Sequence, residues 1–144
     1  MRSHTWEISF PGGRADDGES PWQTALREAN EEVALDPEVV RPIGELDRFV
    51  TVGSRSLVYP MVGAMPGRPR LTASPAEVDQ VLYVPLAELL LDEVYREELW
   101  PIGGAMRAIT FFELHGNTVW GATAAMLRQL LSLTVGVDDE VFLG

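Results

Sequence analysis

The chain has no cysteine and few basic residues, and each shortage excludes certain classes of function. Its 144 residues include no cysteine, which excludes disulfide bonds and thiol chemistry. Eleven basic residues stand against 22 acidic ones, a net charge of −11. Binding to nucleic-acid phosphates needs a basic face, so we expect no nucleic-acid partner. A free polyanionic substrate would also be repelled unless a metal and local arginines reversed the sign of the charge at its site.

Long hydrophobic runs are missing as well. No apolar stretch reaches the roughly 18 residues that suggest a membrane helix, and the N-terminal residues are too polar for a signal peptide. We therefore expect a cytoplasmic protein without membrane contact. The hydrophobic fraction of 46% and the charged fraction of 23% are those of an ordinary globular protein. We expect one domain over residues 1–144, because a chain of this length buries roughly two thirds of its unfolded surface.

What the sequence does have is a dense helical pattern within residues 13–35. Ser20 can serve as the N-cap, Pro21 as the first helical residue and Gln23 as the partner in a capping box. Apolar residues then recur at spacings of four, three and four, namely Trp22, Leu26, Ala29 and Val33. The pattern predicts a helix over 20–33 that buries this stripe.

Glutamates occupy the opposite side of that predicted helix. Glu28 and Glu32 lie one turn apart and Glu31 flanks them. Like charges at this spacing destabilise a helix by about 0.2–0.5 kcal/mol per pair, and Arg27 offsets only part of this cost. Clustered carboxylates without cysteine suit a hard cation such as Mg²⁺ or Mn²⁺. The alternative is an acidic helix face that is simply solvated.

The spacing of these residues resembles a known motif. Gly13, Glu19 and the run from Arg27 to Leu35 follow the Nudix box, G-x5-E-x7-R-E-U-x-E-E-x-G-U, where U is aliphatic. Ala34 stands where the box has glycine, and we expect the residues after it to make the turn that ends the helix. The resemblance implies an α/β fold of the α+β mixed-sheet type, the Nudix α/β/α sandwich.

Nudix enzymes use a divalent metal to hydrolyse a nucleoside diphosphate linked to another group. On this chain the resemblance implies metal donors at Glu28, Glu32, Glu31 and the carbonyl of Gly13. It implies catalytic roles for Glu31, Glu28, Arg27 and Glu77. It implies substrate contacts from Arg2, Gly12, Gly13 and Arg14. Arg27 would hold a box glutamate, Glu31 or Glu77 would orient or deprotonate water, and Glu19 would be structural.

The N-terminal segment has a second resemblance. Five residues match the end of the signature L-L-T-x-R-S-x3-R-x3-G-x3-F-P-G-G of Nudix coenzyme A pyrophosphatases, namely Arg2, Phe10, Pro11, Gly12 and Gly13. Trp6 takes the place of its glycine. The substrate implied is coenzyme A or a derivative, split into phosphopantetheine and adenosine 3′,5′-bisphosphate. Two alternatives stay open: an ADP-ribose or dinucleotide pyrophosphatase, and a Nudix-like binding domain without turnover.

The same family implies sheet strands upstream of the motif. Because the chain begins only nine residues before Phe10, we expect it to be N-terminally short and to form a homodimer with Trp6 at or near the interface. The diglycine after Phe10 is expected to let the backbone approach a ligand closely.

The rest of the chain is predicted to alternate strands and helices. Strands or strand ends are predicted at 7–10, at 39–50 and 56–65 as a hairpin, at 77–86, and at 109–114 with 118–120 as a second hairpin. Helices are predicted at 87–98 and 122–133, the second burying Ala125, Met126, Leu130 and Leu133. Residues 66–75, which carry Arg68 and Arg70, are predicted to be a solvated loop, with contact to a substrate phosphate as the alternative.

Overall fold

The structure is a computed structural model that describes residues 7–51, 53–114 and 116–134. Arg2, His4, Trp6 and His115 lie outside these residues, so the expectations for Arg2 and Trp6 stay predictions. Two helices are described, α1 (Pro21–Val33) and α2 (Gly121–Thr134). Seven strands are described: β1 (Arg41–Glu45), β2 (Phe49–Val50), β3 (Leu57–Val58), β4 (Met61–Ala64), β5 (Tyr95–Ile102), β6 (Ala105–Leu114) and β7 (Asn117–Trp120).

The strands form small antiparallel sheets. Within the described residues the pairs are β1 with β4, β2 with β3, and β5 with β6 and β7. Helices together with these sheets confirm the α+β class. The chain divides into two compact units, Phe10–Tyr83 and Met1–Ser9 with Val84–Gly144. Neither described helix is long and apolar enough to cross a membrane.

Helix α1 begins as its sequence predicts. The Ser20 hydroxyl accepts a hydrogen bond from the Gln23 backbone N–H at 3.1 Å, and the Gln23 side-chain oxygen accepts one from the Ser20 N–H at 2.9 Å. This reciprocal pair is the capping box, which satisfies two backbone donors at the start of the helix. Ala29 and Val33 are buried as predicted, whereas Trp22 and Leu26 are half-buried.

The end of α1 differs from the expectation. Ala34 itself adopts the left-handed conformation, with φ 58° and ψ 33°, so the prediction that the residues after it make the turn is wrong. Its N–H donates to the carbonyl of Asn30 at 3.0 Å, and the Leu35 N–H donates to Ala29 at 3.3 Å. The glycine of the Nudix box therefore corresponds to a position whose backbone favours glycine.

The predicted hairpin over 39–50 and 56–65 is confirmed. Phe49 pairs with Val58 in its inner ladder, and Glu45 pairs with Met61 in its outer ladder. A hydrogen bond of 2.9 Å from the Leu46 N–H to the Pro60 carbonyl joins the two ladders.

Two predicted strands are absent from the described structure. Residues 7–10 are irregular, although Ile8 packs against the core. Residues 77–86 are also without a strand. At their start, the N–H groups of Glu77 and Val78 both donate to the Ser74 carbonyl, at 3.0 and 2.8 Å, which makes a turn instead of a ladder.

The helix predicted at 87–98 is wrong. A 3₁₀ turn at Leu86–Leu90 is followed by the strand Tyr95–Ile102, which pairs along its whole length with Ala105–Leu114. Gly103 and Gly104 connect the two strands with φ values of 60° and 82°, the left-handed conformation that a two-residue hairpin turn requires. Pairing with the next strand of the chain outweighs the weak local preference for helix.

The unit that contains Val84–Gly144 has its core between the 3₁₀ turn, the sheet of β5, β6 and β7, and α2. Its buried members are Leu89, Val94, Phe112, Leu114, Val119, Ala124 and Leu131. The predicted hairpin of β6 and β7 and the predicted C-terminal helix are confirmed. The predicted buried face of that helix is wrong: Ala125 and Leu133 are exposed, and Met126 and Leu130 are only half-buried. The apolar face is centred on Ala124 and Leu131 instead.

Candidate active site

A glycine pair lies over the acidic side of α1. The Gly12 N–H donates to a carboxylate oxygen of Glu32 at 3.2 Å. A Cβ atom at Gly13 would come within 2.5 Å of the Glu28 Oε1 atom, too close for any other residue without displacing that carboxylate. The diglycine thus brings the backbone close to the pair of glutamates one turn apart, and its approach to a ligand stays a prediction.

Arg27 is the hub of the acidic cluster. Its Nε and Nη2 atoms donate to the two oxygens of Glu19 at 2.7 and 3.1 Å. Its Nη1 atom donates to Glu28 at 3.0 Å and lies 3.3 Å from both oxygens of Glu31. Its Nη2 atom also donates to the Arg14 carbonyl at 2.9 Å. These contacts engage the whole guanidinium fork, a geometry that a lysine could not reproduce.

Glu19, which the resemblance implies to be structural, is held from several sides. Besides Arg27, the Asp16 N–H donates to its carboxylate at 2.8 Å and the Thr24 hydroxyl does so at 3.0 Å. The hydrogen bonds from Arg27 are the main reason that the pKa of Glu19 is lowered to about 2. The same contacts raise the pKa of Arg27 above its usual range. Glu19 therefore stays ionised and keeps the guanidinium in place.

Asp16 and Thr24 were not predicted to belong to this network. The Asp16 carboxylate lies 3.2 Å from the Nε atom of Arg27, and Thr24 is buried. Helical spacing is the signal that could have revealed Thr24, because it lies three and four residues before Arg27 and Glu28 on the same side of α1.

The surroundings of Glu32 disfavour its ionised form and raise its pKa. Its partial burial is the main cause that raises its pKa, and the charges of Glu28, Glu77 and Glu31 raise it further. The hydrogen bond from Gly12 acts in the opposite direction. The sequence predicts Glu77 as a further acidic group at the site, and its charge is one of the causes that raise the pKa of Glu32. The cluster carries more negative charge than Arg27 alone can balance.

The donors of this cluster fit a divalent cation in chemistry and in charge. They are oxygens only, they repel one another, and the Gly13 backbone lies against one of them. The Glu28 carboxylate accepts a hydrogen bond from Arg27, and the Glu32 carboxylate accepts one from Gly12. Within the described residues, no three acidic or histidine side chains are grouped closely enough to hold a metal ion. The assignment of metal ligands thus stays a proposal.

Of the predicted substrate-binding residues, the structure describes Gly12, Gly13 and Arg14 but not Arg2. Gly12 and Gly13 lie at the cluster, as described above. The Arg14 carbonyl is tied to Arg27 while the residue itself is exposed. Arg68, on the loop predicted at 66–75, lies 3.9 Å from the centre of the Tyr83 ring.

Known proteins share this sequence pattern. A sequence profile for the NUDIX domain matches residues 1–102. The protein named Uncharacterized Nudix hydrolase NudL from Photorhabdus laumondii is 37% identical over 131 residues, which is 90% of this chain and 70% of that protein. Proteins of the same name from two strains of Escherichia coli are 37% identical over 140 residues, which is 95% of this chain and 71% of each relative. The chain therefore belongs to the Nudix hydrolase family.

Proposed function

We propose that this Nudix hydrolase cleaves the pyrophosphate bond of coenzyme A or its derivatives in a reaction that depends on Mg²⁺ or Mn²⁺. The products would be phosphopantetheine, or its acyl derivative, and adenosine 3′,5′-bisphosphate. One observation carries the proposal. The segment that matches the coenzyme A signature ends in Gly12 and Gly13, and the same two residues lie against Glu32 and Glu28 of the Nudix box.

The acidic cluster suggests how the protein contributes to hydrolysis. A divalent cation, when bound, supplies positive charge to the pyrophosphate oxygens and lowers the pKa of water. Glu28 and Glu32 are the proposed ligands, with Glu31 and the Gly13 carbonyl as further donors. Arg27 orients Glu28 through the contact at 3.0 Å and is itself held by Glu19.

Proton transfer needs a carboxylate that is free to reach the attacking water. Glu31 and Glu77 are the candidates. Glu31 is half-exposed and makes only long contacts to Arg27, at 3.3 Å. Glu77 belongs to the turn after Ser74, whose own N–H is bonded to the Glu32 carbonyl. Arg2 and Arg14 are proposed to bind the phosphates of the substrate, which the chain's net charge of −11 would otherwise repel.

Product analysis tests the substrate. The protein would be incubated separately with coenzyme A, ADP-ribose, NADH and 8-oxo-dGTP, each with Mg²⁺ and with Mn²⁺, and the products identified by mass spectrometry. We expect adenosine 3′,5′-bisphosphate to accumulate from coenzyme A faster than products from the other three. Faster cleavage of ADP-ribose or NADH would contradict the proposal and would indicate an ADP-ribose or dinucleotide pyrophosphatase.

We also propose that the protein is a cytoplasmic homodimer. Large apolar side chains that are more than half exposed support self-association, among them Leu99 at 67% and Met106 at 60%. Light scattering at micromolar concentration should give the mass of a dimer, and a stable monomer would contradict this part of the proposal.

A further inference from the structure

Tyr83 clamps the loop that follows β4. Its hydroxyl donates to the Pro69 carbonyl at 3.0 Å and accepts from the Leu71 N–H at 3.1 Å. The guanidinium of Arg68 lies over its ring at 3.9 Å from the centroid. The side chain thus contacts three residues of the loop from a position twelve to fifteen residues further along the chain.

The clamped loop is bonded in turn to the end of α1. The Thr72 N–H donates to the Val33 carbonyl and the Ser74 N–H donates to the Glu32 carbonyl, both at 2.8 Å. Carbonyls in the last turn of a helix have no partner within the helix, so these two bonds satisfy groups that would otherwise need water. The loop therefore braces the helix turn that carries the Glu32 side chain.

The brace ends at Glu77. The Glu77 N–H donates to the Ser74 carbonyl at 3.0 Å, and Ser74 is the residue whose own N–H is bonded to Glu32. A series of hydrogen bonds along residues 69–74 therefore links the Tyr83 hydroxyl to the backbone of Glu32 and of Glu77.

We propose that Tyr83 is a positioning residue for the hydrolytic reaction, acting through the loop to hold the turn at Glu77 on the end of α1 that carries Glu32. The inference rests on the proposed function, because it assumes that Glu77 and Glu32 serve the reaction. Tyr83 need not touch the substrate. Its hydroxyl is the group that matters, since the ring alone could still stack with Arg68.

The test removes only the hydroxyl, in the variant Tyr83→Phe. Losses of outer-shell partners of this kind reduce activity by roughly 10- to 100-fold, and we expect kcat to fall about tenfold with KM changed by less than about twofold. Tyr59→Phe is the matched control, because an arginine also lies over the Tyr59 ring, at 4.5 Å. Its kcat should equal that of the wild type, and a Tyr83→Phe variant that behaves like Tyr59→Phe would overturn the inference.

A double-mutant cycle separates positioning from general damage. If Tyr83 acts through Glu77, then Tyr83→Phe should have no further effect on kcat in a Glu77→Gln background. The inference would be wrong if the reductions of kcat in the two single variants multiplied in the double variant. It would also be wrong if Glu77→Gln kept the kcat of the wild type.

Amide hydrogen exchange provides a readout that does not depend on activity. Tyr83→Phe should raise the exchange rates of the Thr72 and Ser74 amides by about tenfold, whereas Tyr59→Phe should leave them unchanged. If the wild type hydrolysed none of the substrates, the proposed function would fail while faster exchange would still support the brace. Unchanged exchange at both amides would refute the inference whatever the activity.

Discussion

The most direct stability prediction concerns the alanine that ends α1. Ala34 has φ 58° and ψ 33°, a left-handed conformation that costs a residue with a Cβ about 1–2 kcal/mol. Ala34→Gly removes this strain but makes the unfolded chain more flexible, which costs about 0.4–1 kcal/mol. The side chain is exposed, so no packing is lost. The net gain should be about 0.5–1 kcal/mol, which raises Tm by about 2–4 °C in a domain of this size.

Thermal unfolding followed by circular dichroism measures this gain. Ala25→Gly, in the interior of the same helix, is the control of opposite sign, because glycine there costs about 1 kcal/mol relative to alanine. The two variants should therefore move Tm in opposite directions. If Ala34→Gly lowered Tm as Ala25→Gly does, the left-handed conformation could not be a source of strain. Activity should be unchanged in Ala34→Gly, because the hydrogen bonds of the Ala34 and Leu35 N–H groups do not need the methyl group.

Two further predictions concern the acidic cluster. The pKa of Glu19 is lowered from 4.5 to about 2, so its stabilising effect is present above about pH 4.5 and is lost as the pH falls toward 2. The Tm advantage of the wild type over Glu19→Gln should therefore be complete at pH 6 and shrink between about pH 5 and pH 2, and a constant difference would contradict this. Gly13→Ala should reduce kcat about 100-fold, because the new Cβ would lie 2.5 Å from the Glu28 Oε1 atom and would displace that carboxylate. Tm should be nearly unchanged, because the carboxylate is the flexible end of its side chain. The adjacent Gly12→Ala, whose Cβ would meet no atom within 4 Å, should lose far less activity, and equal losses would refute the steric explanation.

The sequence predicted α1 and its acidic side well because the signals there are local. The capping box at Ser20 and Gln23 and the spacing of Arg27, Glu28 and Glu32 need only helical geometry to be interpreted. What the sequence could not show is how many partners Arg27 takes, since Asp16 and the Arg14 carbonyl reach it from an irregular loop. The brace from Tyr83 was missed for the same reason: it depends on backbone groups, which every residue carries.

Two of the errors lie where pairing between strands or packing between elements decides the structure. The leucines and glutamates of 87–98 favour a helix locally, yet Tyr95 pairs with Phe112 and their rings meet edge to face at 5.4 Å. The diglycine at 103–104 was the available signal for a hairpin there. In α2 the helix was predicted correctly, but its buried face depends on the sheet that it packs against, which the sequence pattern does not contain.

Turnover measurements on two glutamate variants test whether the carboxylates of α1 hold the metal that hydrolysis needs. Glu28→Gln and Glu32→Gln each remove one charge proposed to hold the cation while keeping nearly the same shape, and Glu38→Gln, an exposed residue just beyond the helix, is the control. With coenzyme A and saturating Mg²⁺ or Mn²⁺, we expect both cluster variants to remain folded and to lose kcat by at least about 100-fold, while Glu38→Gln keeps the wild-type rate. Wild-type turnover in either Glu28→Gln or Glu32→Gln would place the metal elsewhere and contradict the proposed assignment of its ligands.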